Sequence, residues 1–282
     1  MSNQLHIGFL VLFLVLNFLV DLRSHAQVLP ADEVRTLQQL GTRLRLSQWN
    51  PNSNSCVTNN LVFNSGSIGI TNVTCDCTFN SSRTCHITQF LLRSLNLTGE
   101  LPEELANLTF LRIIDLNRNF FMGNIPRRWT LLPLNFLGLV GNFLSGTLPR
   151  ELGSVTTLRE ILLSGNNFTG ALPDTFGNLR NLTDFRIDGS TLSGRIPEFI
   201  GNWTSLTRLD MEGTSLQGPI PSSISLLTEL LQLRITDLNA QNISFPDLRS
   251  LTKLTDLILR NCSITGQIPS YIGENIRNIK RL

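Results

Sequence analysis

The sequence predicts an α/β solenoid, in which short coils stack and each adds one strand to a parallel β-sheet. The apolar residues of Leu158–Asn181 recur 24 positions later, between Leu182 and Trp203. Their spacing fits neither an amphipathic helix nor an alternating strand, whereas self-similarity at a period of about 20–50 residues is typical of a solenoid. A glycine and a proline also return at fixed places in almost every repeat, which predicts a recurring turn.

Residues 1–26 have the features of a secretory signal peptide. The apolar segment Ile7–Val20 is interrupted only by Asn17, and it is shorter than the about 17–25 residues that a membrane span needs. Ser24 and Ala26 then fit the −3 and −1 positions of a cleavage site, although no Lys or Arg precedes the apolar segment. We expect export to the cell exterior, and no later stretch predicts a membrane span.

Residues 27–86 predict an N-terminal cap that covers the apolar end of the first coil. Pro30 and the acids Asp32 and Glu33 are typical of a helix start, and apolar residues from Val34 to Leu44 give that helix a buried side. A loop-like segment follows Trp49.

Four cysteines lie in this cap, at Cys56, Cys75, Cys77 and Cys85. In an exported chain an even number of cysteines in a short segment predicts two disulfides. A Cys-x-Cys pair rarely bridges itself, so we prefer Cys56–Cys75 with Cys77–Cys85. A Cys56–Cys85 or a crossed pairing stays open. Zinc ligation with His86 is disfavoured because the spacing suits no zinc finger and the exported compartment is oxidising.

Residues 87–282 predict eight repeat units without a C-terminal cap, and a ninth unit would begin near Leu282. Six of the seven intervals between unit starts are 24 residues long and one is 23. The starts are Ile87, Leu111, Leu134, Leu158, Leu182, Leu206, Leu230 and Leu254. Each unit follows LxxLxLxxNxLxGxIPxxLxxLxx, which is the pattern of a leucine-rich repeat. We expect a short strand near Glu160–Ser164, and inward apolar residues that are buried only when neighbouring coils cover them.

The polar position of this template predicts side chains that hydrogen-bond the backbone of a buried turn. It is occupied by Asn119, Asn142 and Asn166, and Cys262 replaces the asparagine in the eighth unit. We expect Cys262 to be a buried free thiol. The seventh unit lacks the glycine and has its proline one place late, at Pro246, which predicts an irregular coil.

The motif L-x-G-x-[IL]-P in a 24-residue unit resembles the plant-specific class of leucine-rich repeats. The stretches VTCDCTFNSSRTCHI and LRITDLNAQNISFPDLRSLTKLTDLILRNCSITGQIPSYIG are similar to ectodomains of plant leucine-rich-repeat receptor-like serine/threonine kinases of subfamily VIII. The resemblance implies a right-handed superhelix with the parallel sheet on its concave face and a second short strand in each coil. Members of that subfamily usually continue into a malectin-like domain, a membrane helix and a cytoplasmic kinase. The resemblance therefore implies the N-terminal ectodomain portion of such a receptor, as a truncated form or a fragment.

The sequence offers little for catalysis. Three histidines are present, and signal cleavage would remove His6 and His25 and leave His86 beside Cys85. No phosphate-binding loop and no H-E-x-x-H motif occurs. We predict no enzymatic activity, no cofactor and no metal. A net charge of +2 without a run of basic residues also disfavours a nucleic-acid partner.

The outward side chains of the strands are the candidate partner-binding residues. The N-terminal repeats offer apolar residues and the later repeats charged ones, and a ladder Arg186–Asp210–Arg234 across neighbouring strands is expected. The candidates are Phe136, Val140, Leu162, Arg186, Asp188, Arg208, Asp210, Glu212, Arg234 and Arg260. A solvated face whose charges satisfy one another is the alternative, and exposed apolar residues fit it least well.

Asn-x-Ser/Thr sequons predict N-linked glycans on an exported chain. They lie at Asn72, Asn80, Asn96, Asn107, Asn167, Asn181, Asn202 and Asn242. A further sequon at Asn261 is disfavoured because it lies at the strand face beside Cys262. Asn107 and Asn202 occupy the same repeat position, where glycans would keep the side opposite the main strands free of partners.

The leading functional hypothesis is an extracellular recognition module of a receptor-like kinase at the plasma membrane. It would bind a peptide or protein ligand on its concave face, together with a co-receptor, and transmit a signal. The alternative is a secreted leucine-rich-repeat inhibitor of microbial enzymes that degrade the plant cell wall.

Overall fold

The computed structural model describes residues 27–47, 49–62 and 69–282. The predicted signal peptide, residues 1–26, lies outside this part of the chain. The main sheet has nine strands in the order β1-β2-β4-β6-β8-β10-β12-β13-β15, and all neighbours are parallel except β1 and β2. These strands are β1 Ile70–Thr78, β2 Thr84–Arg93, β4 Ile113–Asp115, β6 Phe136–Gly138, β8 Glu160–Leu162, β10 Asp184–Arg186, β12 Arg208–Met211, β13 Gln232–Thr236 and β15 Asp256–Arg260. Eight parallel strands correspond to the eight predicted units.

Among its described residues, the cap contains three helices and the antiparallel strand β1. Its helices are α1 Ala31–Arg43, α2 Ser55–Thr58 and α3 Phe79–Ser82. Disulfides join Cys56 to Cys75 and Cys77 to Cys85, which is the preferred pairing. The expected border between cap and repeats at residues 86 and 87 falls inside β2, because β1 pairs with the whole first repeat strand. Cap and repeats thus share one sheet.

Residues at alternate strand positions point inward and form the core. Phe90, Ile114, Leu137, Ile161 and Phe185 each lie in successive main strands and are fully buried. Burial of side chains of this size stabilises the fold by about 1.5–3 kcal/mol each, and each coil needs its neighbours to achieve it.

The template asparagines form the hydrogen-bonded ladder that the sequence predicts. The Asn142 amide donates to the carbonyls of Leu116 and Leu139 at 3.1 and 3.0 Å, and its oxygen accepts from the Phe121 N–H at 3.0 Å. Asn119 and Asn166 repeat the arrangement in the neighbouring coils. Cys262 is a buried free thiol whose Sγ lies 3.3 Å from the Ile235 carbonyl.

A second, five-stranded parallel sheet runs beside the main one. Its strands are β3 Thr98–Glu100, β5 Phe120–Gly123, β7 Phe143–Thr147, β9 Asn167–Gly170 and β11 Thr191–Leu192. Short 3-10 helices follow at Glu103–Asn107, Arg127–Leu131, Arg150–Ser154, Asp174–Asn178, Glu198–Asn202 and Ser222–Leu226. The prolines that precede these helices have φ values suited to the turn.

The seventh coil is irregular, as the sequence predicts. Beyond β11 the second sheet continues only as single bridges at Gln217, and β14 Ile243–Ser244 pairs separately with β16 Ile264–Thr265. Helix α4, Tyr271–Glu274, follows, and the Tyr271 hydroxyl donates to the Pro246 carbonyl at 2.7 Å. The ninth unit begins earlier than the expected Leu282, because Arg281 forms a parallel bridge with Asp256, the third residue of the eighth unit.

Candidate functional site

The candidate site is the concave strand face, which we define as three outward positions in each of the eight repeats. They are the first, third and fifth residues counted from Ile113 of β4 and the equivalent residues of the other repeats, and the fifth lies just beyond the shorter strands. The parallel register aligns them in three columns. The first column is Gln89, Ile113, Phe136, Glu160, Asp184, Arg208, Gln232 and Asp256. The third-position column is Leu91, Asp115, Gly138, Leu162, Arg186, Asp210, Arg234 and Ile258. The fifth-position column is Arg93, Asn117, Val140, Ser164, Asp188, Glu212, Thr236 and Arg260.

The N-terminal third is the most apolar part of this face, since four of its nine outward positions hold Leu91, Ile113, Phe136 and Val140. Phe136 and Val140 are half-buried and lie around Gly138, so a ligand can contact both. Leu162 also points outward but is only 9% exposed. It lies in register between Gly138 and the long side chain of Arg186, so it offers little surface to a ligand.

Sequence reasoning missed an ion pair within this apolar part. The Nε of Arg93 donates to Oδ2 of the fully buried Asp115 at 2.6 Å. The two residues lie in neighbouring columns of adjacent strands, where the later repeats also place arginine and aspartate. That shared placement was the signal that could have revealed the pair.

The middle of the face, strands β8 to β12, is acidic. Its outward positions hold five carboxylates and two arginines, a net charge of −3 (two minus five). The carboxylates are Glu160, Asp184, Asp188, Asp210 and Glu212. Arg186 donates from Nε to Asp184 at 2.8 Å, and Arg208 donates to Asp210 at 2.7 Å. Each arginine is thus paired within its own strand.

The expected ladder Arg186–Asp210–Arg234 is therefore wrong in its main contacts. Asp210 lies 4.0 Å from Arg234, at the limit of an ion pair, and Arg186 forms its ion pair with Asp184. An arginine side chain is long enough to reach a carboxylate two residues away on its own strand. Because Arg186 is paired in this way, the expected ion pairs between neighbouring strands are weak.

The C-terminal end of the face is basic. Arg234 donates to Asp256 through Nε and Nη2 at 3.2 and 2.8 Å, and Arg281 lies 3.3 Å from the same carboxylate. Arg260 is exposed on the same strand as Asp256. Arg234 and Arg281 thus share a single carboxylate, and Arg260 adds a further positive charge to this end of the face.

Burial and like charges perturb the acidic segment. Burial raises the pKa of Asp210, although Arg208 opposes the shift. Burial, together with Asp188 and Asp210, raises the pKa of Glu212, and burial with Asp184 raises that of Glu160. At the basic end the hydrogen bond from Arg234 lowers the pKa of Asp256. The acidic segment therefore favours a cationic group, since such a group would relieve its excess negative charge.

Two buried acceptors of this face have no hydrogen-bond partner within the described residues. They are Oδ1 of Asp210 and Oε1 of Gln232, on adjacent strands. Unpaired buried acceptors are costly, so a donor from a ligand would stabilise the site if neighbouring side chains moved to admit it.

The remaining predicted sites lie elsewhere. All eight sequon asparagines are exposed, and Asn261 donates to Asp237 at 2.8 Å. His86 lies 2.5 Å from Glu33 in the cap, where the pair connects α1 to β2. The cap sulfurs Cys56, Cys77 and Cys85 lie close together, but they belong to the two disulfides.

Comparison with known proteins agrees with this architecture. The Leucine Rich Repeat family model matches residues 157–179, 205–227 and 253–275. A probable LRR receptor-like serine/threonine-protein kinase of Arabidopsis thaliana is 51% identical over 292 aligned residues, which cover 94% of this chain and 28% of that protein. A second such kinase is 44% identical over 42% of this chain and 12% of its own length. The chain thus spans about a quarter or less of these relatives.

Solved structures show the same fold. The ectodomain of GASSHO1/SCHENGEN3 from Arabidopsis thaliana, in complex with CASPARIAN STRIP INTEGRITY FACTOR 2, superposes with a TM-score of 0.72 and 30% identity over 88% of this chain and 29% of that one. The Arabidopsis receptor kinase HAESA, in complex with the peptide hormone IDA and the co-receptor SERK1, gives 0.67 and 27% over 89% and 45%. Within the described residues no helix is both long and apolar enough to cross a membrane. The chain is therefore a leucine-rich-repeat solenoid, similar to the ectodomains of plant receptor-like kinases.

Proposed function

We propose that this chain is the ligand-recognition part of a plant receptor-like kinase and that its concave strand face binds a peptide or protein outside the cell. The similarity to probable LRR receptor-like serine/threonine-protein kinases supports the kind of receptor. Two solved structures with the same fold are complexes with a named factor or a peptide hormone. The recognition part needs no catalytic group, and the phosphorylating activity would belong to a kinase domain.

One observation carries the assignment to the concave face: its character changes in order along the solenoid. Half-buried apolar residues around Phe136 come first, the acidic segment follows, and the basic end around Arg234 comes last. An extended peptide that follows the columns would meet an apolar contact, then an acidic surface, then arginines. Such an order gives a ligand both direction and register.

A peptide library displayed on phage, selected against the exported glycoprotein, tests this assignment. We expect Phe136→Ala and Arg234→Ala each to weaken binding of selected peptides roughly tenfold or more, as truncation of an interface anchor does. Leu131→Ala is the matched control, because Leu131 is 76% exposed on the opposite, 3-10 side. Unchanged affinity in both concave variants, or loss in the control, would contradict the proposal.

Three finer points belong to the same proposal. The two sequence stretches that resemble subfamily VIII favour a receptor with a malectin-like domain after the repeats, and the downstream reading frame of the gene tests this. A co-receptor would join the complex of this chain with its ligand, since HAESA forms a complex with both a peptide hormone and a co-receptor. Secretion of a reporter fused to residues 1–26 tests export to the apoplast.

Inhibition of microbial wall-degrading enzymes by the purified chain would instead support the alternative function.

A further inference from the structure

The second sheet carries a cluster of exposed apolar side chains that the concave face does not use. Phe120, Met122 and Phe143 are 43%, 51% and 61% exposed. Met122 and Phe143 are opposite each other in the register of β5 and β7, and the rings of Phe120 and Phe143 stack with centroids 5.9 Å apart. We call these three residues the lateral apolar triad.

The triad interrupts a polar row. Phe120 and Phe143 each follow the template asparagine directly, and the same position in the other repeats is polar. Those residues are Asn96, Thr191, Ser215, Asn239, Ser263 and Asn167. Repeats with a polar residue at this position thus lie on both sides of the two aromatic rings. The rings remain in contact with water unless another group covers them.

Sequon asparagines lie immediately on both sides of the triad. Asn167 stands opposite Ser145 in the register of β7 and β9, and Ser145 shares its strand face with Phe143. Asn167 therefore lies one strand across and two residues along from Phe143, a diagonal of roughly 7–8 Å. The first sugar on the exposed Asn167 can span this distance. Asn96 occupies the equivalent repeat position next to Phe120.

We propose that the lateral apolar triad is the seat of an N-glycan, with the first N-acetylglucosamine on Asn167 packed over Phe143. The C–H face of a pyranose is apolar and matches the electron-rich face of an aromatic ring, while its hydroxyls stay in water. Bulky glycans at Asn96 and Asn167 would obstruct a protein partner at this place, which favours the chain's own sugar as the occupant. The inference depends on export of the chain and is independent of the concave-face ligand.

The direct test uses the glycoprotein secreted from plant cells. Glycopeptide mass spectrometry should find Asn167 occupied, and an unoccupied Asn167 would overturn the proposal. Hydroxyl-radical footprinting should then show Phe143 protected severalfold relative to protein treated with a peptide N-glycosidase. Leu231, which is 41% exposed and directly precedes β13, should react equally in both samples. Equal oxidation of Phe143 before and after sugar removal would also overturn it.

A thermal double-mutant cycle gives an independent readout. Thr169→Ala and Asn167→Gln both abolish the sequon, and each should lower Tm by about 2–4 °C. The same loss should vanish in a Phe143→Ala background, because the ring is the partner of the sugar. Asn181→Gln, which removes a sequon whose asparagine contacts the Thr156 carbonyl, should show no such coupling. Additive effects of Phe143→Ala and Thr169→Ala, or self-association through the triad in the glycosylated protein, would contradict the proposal.

Discussion

Arg234 is opposite Asp210 and Ile258 in the sheet register, yet it donates two hydrogen bonds diagonally to Asp256, at 3.2 and 2.8 Å. Its distance to Asp210 is 4.0 Å. The two carboxylates therefore have pKa shifts of opposite sign. The hydrogen bonds from Arg234 lower the pKa of Asp256, whereas burial raises the pKa of Asp210.

The first prediction concerns Asp256. The pKa of Asp256 is lowered in the folded state. Its contribution to stability is therefore complete above the unfolded pKa, about 3.9. This contribution is lost as the pH falls through the folded pKa. Arg234→Gln removes the main cause, and the pKa of Asp256 measured by NMR titration should rise. Arg249→Gln, which breaks the exposed pair with Asp247, is the control. An unmoved Asp256 titration in Arg234→Gln would refute the assignment.

The second prediction concerns Asp210, whose shift has the opposite sign. A carboxyl with a raised folded pKa costs stability once it ionises, so the cost appears as pH rises through the unfolded and then the folded value. Asp210→Asn should therefore raise the urea midpoint at pH 7, and the gain should disappear below about pH 3. Asp256→Asn should lower the midpoint at pH 7. A lower midpoint for Asp210→Asn would show that its ion pairs outweigh its burial.

The third prediction tests the asparagine ladder. Asn142→Ala leaves the buried Phe121 N–H without its partner and removes one of the two amide donors to each of the Leu116 and Leu139 carbonyls. We expect a loss of about 1–3 kcal/mol in the free energy of unfolding. Asn178→Ala, on the exposed end of a 3-10 helix, should change it by less than about 0.5 kcal/mol. Denaturant unfolding of both variants measures the difference, and equal values would contradict the role of the ladder.

The fourth prediction tests the cap. The Cys56–Cys75 bridge closes a loop with a sequence separation of 19, and Cys56→Ser with Cys75→Ser should cost about 2–4 kcal/mol. Because the bridge ties α2 to β1, limited proteolysis should cut the cap first while the later repeats stay intact. Simultaneous cleavage throughout the repeats would show that cap and solenoid unfold as one unit.

The core could be predicted from the sequence because the 24-residue period fixes which residues point inward. Asn142 and Cys262 lie where the template places them, for that reason. The pairing of Arg234 could not be predicted, since several carboxylates lie within reach of a long side chain and small differences in geometry decide among them. Burial of Leu162 and Asp210 was missed for a related reason: arginines lie beside both.

Two other features escaped the sequence reading. Strand β1, which contains Cys75 and Cys77, extends the main sheet beyond the first repeat, and the sequence analysis predicts no strand there. Phe120 and Phe143 occupy a template position that is polar in other coils, and this exception was a readable signal of an exposed aromatic pair. The repeat period predicts which residues form the core. A surface residue of unusual polarity is found only by comparing the same position in different repeats.

Site-specific photo-crosslinking tests the role of the concave strand face most directly. A photoreactive phenylalanine analogue would replace Phe136, Gln232 or, as the control on the opposite side, Leu131, and each protein would be irradiated with a library-selected peptide. We expect crosslinks from positions 136 and 232, to separate parts of the peptide, and none from position 131. Crosslinks from position 131 alone would contradict a concave binding face.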